Sequence, residues 1–364
     1  MGLDIEKTYK GKKIFITGHT GFKGSWMIQM LKELGAIIKG YSLKPESKND
    51  LYNLIDGDSL CSSTIDDIRN YKRLHKEIID FQPDFIFHLA AQAQVLKGFE
   101  ESRKTFEVNV MGTINILEVI KSLTKNCHVI IITTDKVYYN YEREYSYKEN
   151  DRLGGKDPYS NSKACSELAV NSYRDSFFNN SFAKFKHIIT VARAGNVIGG
   201  GDWSTNRIIP DFIRSIENNT SLVIRSPKAT RPWQYVLDPI YGYLILGHNS
   251  MIDPKSFSFH KEFNLGPKYM DCISVKNLIE KCINYLNKGK ITIKEDNIKK
   301  KKESTFLNLD TTKIERILGF FPIIDLDKGI KLTMDWYKKY LIHPSEIKDF
   351  SKKQCENYLN LRIK

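Results

Sequence analysis

KKIFITGHTGFKGSWMIQMLKELGAIIKGY, residues 12–41, decides the fold. KKIFIT is a short apolar run, GHTGFKG is a glycine-spaced turn, and SWMIQMLKELGA carries apolar residues at helical spacing up to Gly35. A second apolar run, AIIKGY, follows, so the stretch reads strand, tight turn, helix, strand. The alternation continues downstream. DFIFHLA (84–90), HVIIITT (128–134) and HIITVAR (187–193) read as strands, and VNVMGTINILEVIKSL (108–123) and NSKACSELAVNSYRDSFF (161–178) as helices. Strands separated by helix-length segments predict an α/β fold: a Rossmann-like, doubly wound parallel sheet with helices on both faces.

Gly18, Gly21 and Gly24 space the turn as GxxGxxG, one residue wider than the GxGxxG dinucleotide fingerprint. In a strand–turn–helix context each glycine has a task. Gly18 permits the sharp turn, Gly21 lets backbone N–H groups approach a pyrophosphate, and Gly24 lets the helix pack on the sheet, while the helix N-terminus attracts negative charge. Asp67, just past the presumed third strand, is placed either to accept from an adenine amino group or to serve as a surface turn acid. Ala90 and Ala91, in HLAAQ at the end of the fourth strand, leave room for a ligand or for a close-packed helix. The second strand ends GYSLK, without the acid that usually holds the ribose 2′-hydroxyl of NAD; by itself this favours NADP.

Tyr159 and Lys163 lie four apart in DPYSNSKACSE, on one face of a helix. A phenol titrates at about 10, too high for a base at neutral pH. A nearby ammonium and a positive nicotinamide ring favour the phenolate and suit it to removing a hydroxyl proton during hydride transfer. The strand HVIIITT runs directly into Thr134, Asp135 and Lys136, which sets a hydroxyl, a carboxylate and an amine at the end of a buried strand, where open α/β sheets bind ligands.

After about Ile198 the pattern changes to segments rich in Gly, Pro, Trp and Arg, such as GGGDWSTNRIIPDF (199–212) and RSPKATRPWQYVLDP (225–239). The division expected is a dinucleotide-binding domain over 1–198, a smaller substrate-binding lobe over 199–345 with segments returning to the first domain, and a basic, solvated tail over 346–364. At 364 residues, 41% hydrophobic, the chain can bury a full core. No run of about 18 or more apolar residues occurs and the start is polar, which points to a cytoplasmic protein with no membrane partner. The six cysteines form no CxxC pair, so neither a disulfide framework nor a metal site is expected. The net charge of +13 is compatible with nucleic acid, an anionic membrane or a phosphorylated ligand and does not choose among them; the run Lys299–Lys302 lacks interleaved aromatics and reads as a solvated loop, so no nucleic-acid partner is expected.

GHTGFKGSW, TTDKVYYN, LGGKDPYSNSKACSE, RAGNVIGGGDW, RIIPD and RPWQYVLDPIYGYL together resemble the CDP-glucose 4,6-dehydratases, a family of extended short-chain dehydrogenase/reductases, over roughly residues 12–340. The resemblance implies NAD as retained cofactor, held by Gly18, Gly21, Phe22, Gly24, Asp67, Ile68, Ala90 and Ala91 together with Tyr159 and Lys163. It implies a nucleotide-sugar substrate facing Asn196, Arg207 and Arg231, and a redox triad of Thr134, Tyr159 and Lys163. Asp135 would protonate the departing C6 hydroxyl, and Lys136 would assist proton removal at C5. Read without the family, Arg231 could equally stack on Trp233. The resemblance also implies a homodimer through a four-helix bundle built from 108–123 and 160–178. Two departures stand out: AQVLK follows HLAAQ where relatives carry Pro, an apolar pair and Arg, and YEREYSYKEND (141–151) lacks the Trp usual there.

Overall fold

The computed structural model describes residues 5–178, 185–257, 259–267, 272–294 and 307–363. Its core is a seven-stranded, fully parallel sheet of β1 (Lys13–Thr17), β2 (Ile37–Ser42), β3 (Ser62–Ile65), β4 (Phe85–His88), β5 (His128–Thr134), β6 (Ile188–Ala194) and β7 (Glu262–Leu265). The spatial order is β3-β2-β1-β4-β5-β6-β7. Because side chains alternate along a strand, the apolar runs feed two separate cores. Ile14, Ile16, Phe85, Phe87, Ile130 and Ile132 face one side, packed with Trp26, Met27 and Leu31 of α1 (Phe22–Glu33). Phe15, Ile86, Val129, Ile131 and Val191 face the other, packed with α2 (Tyr71–Phe81) and α3 (Gly112–Ile120). Each such side chain, fully buried, contributes roughly 1.5–3 kcal/mol.

Two strands escaped the hydrophobic pattern for different reasons. β3, SSTI, is a polar edge strand, and β7, EFNL, is short and enters from the C-terminal half to pair with β6, Glu262 opposite Val191 and Leu265 opposite Ala194. Strand order reverses between β1 and β4, which opens a crevice at their carboxyl ends. α4 (Pro158–Tyr173) starts there. Asp157 caps it by accepting from the Ser160 N–H at 2.9 Å, and Pro158 fits the first turn, where no N–H is needed.

α5 (Ile208–Glu217), α6 (Leu237–Ile252), α7 (Val275–Leu286), α8 (Leu326–Ile342) and α9 (Ile347–Ile363) complete the fold used below. The C-terminal residues are not the solvated tail that their charge predicts: α9 packs on α1, buries Ile347, Cys355 and Tyr358, and ties Arg362 to the buried Asp238 at 3.0 Å. Its basic residues mask an amphipathic helix, because lysines occupy the outer face between the buried positions. The Lys299–Lys302 run lies outside the described residues. Among the described residues no helix is long and apolar enough to cross a membrane.

Candidate active site

The glycine turn follows β1 directly, with Gly18 at φ +78°, a left-handed conformation that glycine adopts without strain. A Cβ on Gly18 would stand 2.8 Å from the Ala90 nitrogen, and one on Gly24 2.1 Å from the Gly18 carbonyl oxygen, so both positions need glycine for close approach. Gly21 caps α1 without any side-chain hydrogen bond, so the N–H groups of that first turn remain available to an anion. Phe22 opens α1 half-buried, and its ring comes close enough to crowd a Cβ on Gly199, at 3.1 Å. Ala90 donates its N–H to Thr17 Oγ1 at 3.2 Å. Ala91 follows in the same half-buried segment. These residues fit a dinucleotide laid across the crevice: a bare helix N-terminus, a turn without side chains, and small residues opposite.

Asp67 is more committed than its sequence suggests. Arg69 forks onto its carboxylate at 2.8 and 3.0 Å and also reaches Glu107 at 3.1 Å; this hydrogen bonding holds the Asp67 carboxyl below its ordinary range. Ile68 is buried, with its carbonyl accepting from Asn115 at 3.0 Å.

Five of the predicted residues converge where β5 ends and α4 begins. Thr134 donates to Asp135 Oδ1 at 2.9 Å, and Lys136 Nζ donates to the same oxygen at 3.0 Å. Asp135 is fully buried, and its other oxygen, Oδ2, has no hydrogen-bond partner among the described residues. Such an acceptor is costly to leave bare, so the geometry is that of a group awaiting a ligand. Tyr159 is 9% exposed. Lys163, buried, donates to the Ile132 carbonyl at 2.9 Å, which pins α4 to β5, and burial lowers its pKa to about 8.

The electrostatics of Tyr159 differ from the sequence expectation. Burial raises the phenol above its ordinary value and outweighs the opposing pull of Lys136, chiefly, and of the Thr134 hydroxyl. The cation that most favours the phenolate is thus Lys136, on the strand end, while Lys163 is occupied by a backbone carbonyl. A positively charged ligand ring is needed to tip the balance.

Of the three residues expected at the nucleotide, Asn196 lies beside the catalytic group, where its Oδ1 accepts from Lys136 Nζ at 3.1 Å. Arg207, at the start of α5, pairs with Asp202 at 2.9 Å and lies within electrostatic reach of Tyr159. Arg231 is buried on a short strand, Thr230–Pro232, that pairs antiparallel with Cys272–Ser274.

Sequence reasoning missed three features. Glu167 and Arg193, 1% and 2% exposed at their side chains, form an ion pair at 2.5 Å directly behind the site, with Thr133 donating to Glu167 at 2.5 Å. Glu167 lies four residues after Lys163, so helical spacing could have found it. Asn109, in a π-helical turn (Glu107–Met111), accepts from the Gln92 N–H at 2.8 Å and donates to Ser162 at 2.8 Å, joining the strand-β4 loop to α4. Lys23, inside the glycine turn itself, reaches the same crevice, where Arg207, Asp135, Lys163 and Lys136 all act on its charge. Among the described residues no cluster of three or more His, Cys, Asp or Glu could hold a metal ion.

The chain is 38% identical over 359 residues to the CDP-glucose 4,6-dehydratase of Salmonella typhimurium strain LT2, covering 98% of this chain and 99% of that one. Among solved structures it resembles a dTDP-glucose 4,6-dehydratase from Streptomyces venezuelae, solved with NAD and TYD bound (TM-score 0.77, 21% identity, 92% and 99% coverage). It also resembles an epimerase from Methanothermobacter thermautotrophicus (TM-score 0.77, 20% identity, 95% and 98% coverage). At such identities these two speak for the fold alone. Residues 15–333 match the family described as GDP-mannose 4,6 dehydratase, and with that span and the Salmonella relative together, the chain belongs to this family of nucleotide-sugar dehydratases.

Proposed function

We propose that the protein is a CDP-glucose 4,6-dehydratase that works with retained NAD and forms CDP-4-keto-6-deoxyglucose. The observation that carries this reading is the Asp135–Lys136 pair beside Tyr159, with one buried Asp135 oxygen left without a partner. A simple 4-epimerase needs no acid and base for elimination across C5 and C6. The 38% identity to the Salmonella CDP-glucose enzyme favours CDP over the other nucleotides.

When bound, NAD supplies a hydride acceptor for C4 and later the hydride donor for C6. The protein moves the protons. Tyr159 takes the proton of the C4 hydroxyl, with Lys136 and Thr134 stabilising the phenolate and Lys163 orienting the ligand from α4. The C4 ketone acidifies the C5 proton, and Lys136 assists its removal, as a base in its deprotonated form or, as the ammonium, by Coulomb stabilisation of the enolate left behind. Asp135, through Oδ2, delivers a proton to the C6 hydroxyl so that it departs as water; as hydride reaches C6 the proton removed from C5 is returned to C5, the C4 oxygen stays a ketone, and the proton that Tyr159 took from the C4 hydroxyl replaces the one given up by Asp135. Gly18, Gly21, Phe22, Gly24, Ala90 and Ala91 cradle the dinucleotide, with Asp67 and Ile68 at its adenine; Arg207 and Arg231 meet the sugar nucleotide's phosphates. The 199–345 lobe covers the sugar. The outward faces of α3 and α4 and of the π-helical turns that adjoin them, Glu107–Met111 and Arg174–Phe178, where Met111, Leu168 and Phe177 are 48%, 56% and 47% exposed, supply the homodimer contact, and the chain works in the cytoplasm.

Mass spectrometry after incubation with CDP-, dTDP-, GDP- and UDP-hexoses tests this. The expected result is loss of one water from CDP-glucose foremost, with NAD binding more tightly than NADP. A hexose isomerised without loss of water would replace this reading with an epimerase.

A further inference from the structure

The reaction derived above makes no use of Lys23. Its backbone sits in the first turn of α1, two residues beyond Gly21. Its half-buried side chain turns into the crevice, with Nζ 3.4 Å from the Tyr243 hydroxyl and 6.0 Å from the centroid of that ring. Charged groups face it from every neighbouring element: Asp135 and Lys136 from the end of β5, Lys163 from α4 and Arg207 from the start of α5, while Tyr243 on α6 in turn feels Tyr159. These neighbours have their own partners. Among the described residues Asp135 is engaged through Oδ1 alone, by Lys136 at 3.0 Å, Arg207 by Asp202 at 2.9 Å, and Lys163 by the Ile132 carbonyl at 2.9 Å. Among the described residues Lys23 forms no ion pair and has only the Tyr243 hydroxyl, at a distance long for an ammonium bond.

A cation in a half-buried crevice among three others is unfavourable until an anion arrives. Burial, then repulsion from Arg207, lowers its pKa to about 8. A hexose ring is uncharged and an oxidised nicotinamide is itself a cation, so the anions that the proposed ligands bring are their diphosphates. We propose that Lys23 is a diphosphate-binding residue, whose ammonium grips the dinucleotide's diphosphate from the crevice side while the N–H groups of α1 hold it from the helix side. The placement of Lys23 on the glycine turn favours the dinucleotide's diphosphate over that of the sugar nucleotide, which carries the same chemistry. The inference rests on the reading of the crevice as a dinucleotide and nucleotide-sugar site.

Calorimetric titration of the full chain, freed of retained cofactor, with NAD and separately with CDP tests it in the wild type, Lys23→Met and Lys23→Arg. Lys23→Met is expected to weaken NAD about tenfold or more, the value of one charge-assisted hydrogen bond, and to leave CDP unchanged, while Lys23→Arg retains most of the affinity. Just above pH 8, NAD binding to the wild type is expected to take up protons as Lys23 regains its own beside the diphosphate, measurable in buffers of different ionisation enthalpy. Lys23→Arg, always charged, should lose the Lys23 share of that uptake, which a merely structural lysine would not supply. Weakened CDP with unchanged NAD would keep the diphosphate contact and assign it to the sugar nucleotide. Unchanged affinity for both in Lys23→Met would overturn the proposal, whereas a wild type that binds neither ligand would overturn the dinucleotide reading itself.

Discussion

Asp135→Asn separates the two halves of the proposed cycle. Asparagine keeps the shape and the Oδ1 acceptor that Thr134 and Lys136 use at 2.9 and 3.0 Å, so the pair's geometry survives. What is lost is Oδ2 as an oxygen that can take up and deliver a proton; that atom has no hydrogen-bond partner among the described residues. General-acid catalysis of this kind supplies about 10² to 10⁴ in rate, or roughly 3–5.5 kcal/mol of barrier. Lys136 retains carbonyl acceptors on residue 135 and on Asn196 and is 23% exposed at its side chain, so the cost to folding is that of one charge-assisted contact, about 1.5–3 kcal/mol. Tyr159 and Lys163 are untouched, and oxidation at C4 should proceed. With CDP-glucose deuterated at C4, rapid mixing should therefore show reduced nicotinamide accumulating on the variant, carrying the label, while dehydrated product falls by at least about a hundredfold. The wild type should deliver the same label to C6 within one molecule. Dehydration within threefold of wild type would show that another group provides the proton, and absence of any cofactor reduction would show that Asp135 acts in the first half instead.

Tyr159→Phe keeps a ring that is 9% exposed and removes one hydroxyl, so thermal stability and cofactor binding should hold while turnover falls about 10² to 10⁴-fold; retained turnover measured by product formation would count against the base. Light scattering at micromolar concentration should find a dimer, and Leu168→Glu, on an outward face 56% exposed in the single chain, should shift it towards monomer without unfolding it. Burial holds Lys163 at about 8 against an ordinary 10.5, so between those values the unfolded chain binds a proton that the folded chain has released. The Lys163 contribution therefore makes stability rise as pH climbs from about 8 towards 10.5, and urea unfolding of Lys163→Met across that window should lack this slope.

The segment 12–41 contains its own local instructions: strand, glycine turn and helix follow from apolar spacing and from the steric need for glycine at 18 and 24, all within one stretch of chain. The strand-end position of Asp135 and Lys136, and the helical pairing of Tyr159 with Lys163, were legible for the same reason, since a strand of buried residues and a four-residue helical step are short-range facts. Long-range contacts were not. Whether Asn196 lies beside Lys136 and whether the basic C-terminus floats or seals α1 each depend on which segment the fold brings alongside, and single residues carry no periodic signal for that. The protonation balance of Tyr159 belongs to the same class: spacing places an ammonium nearby, but desolvation depends on how the crevice closes around the ring, and only the tertiary structure puts Lys136 closer in effect than Lys163.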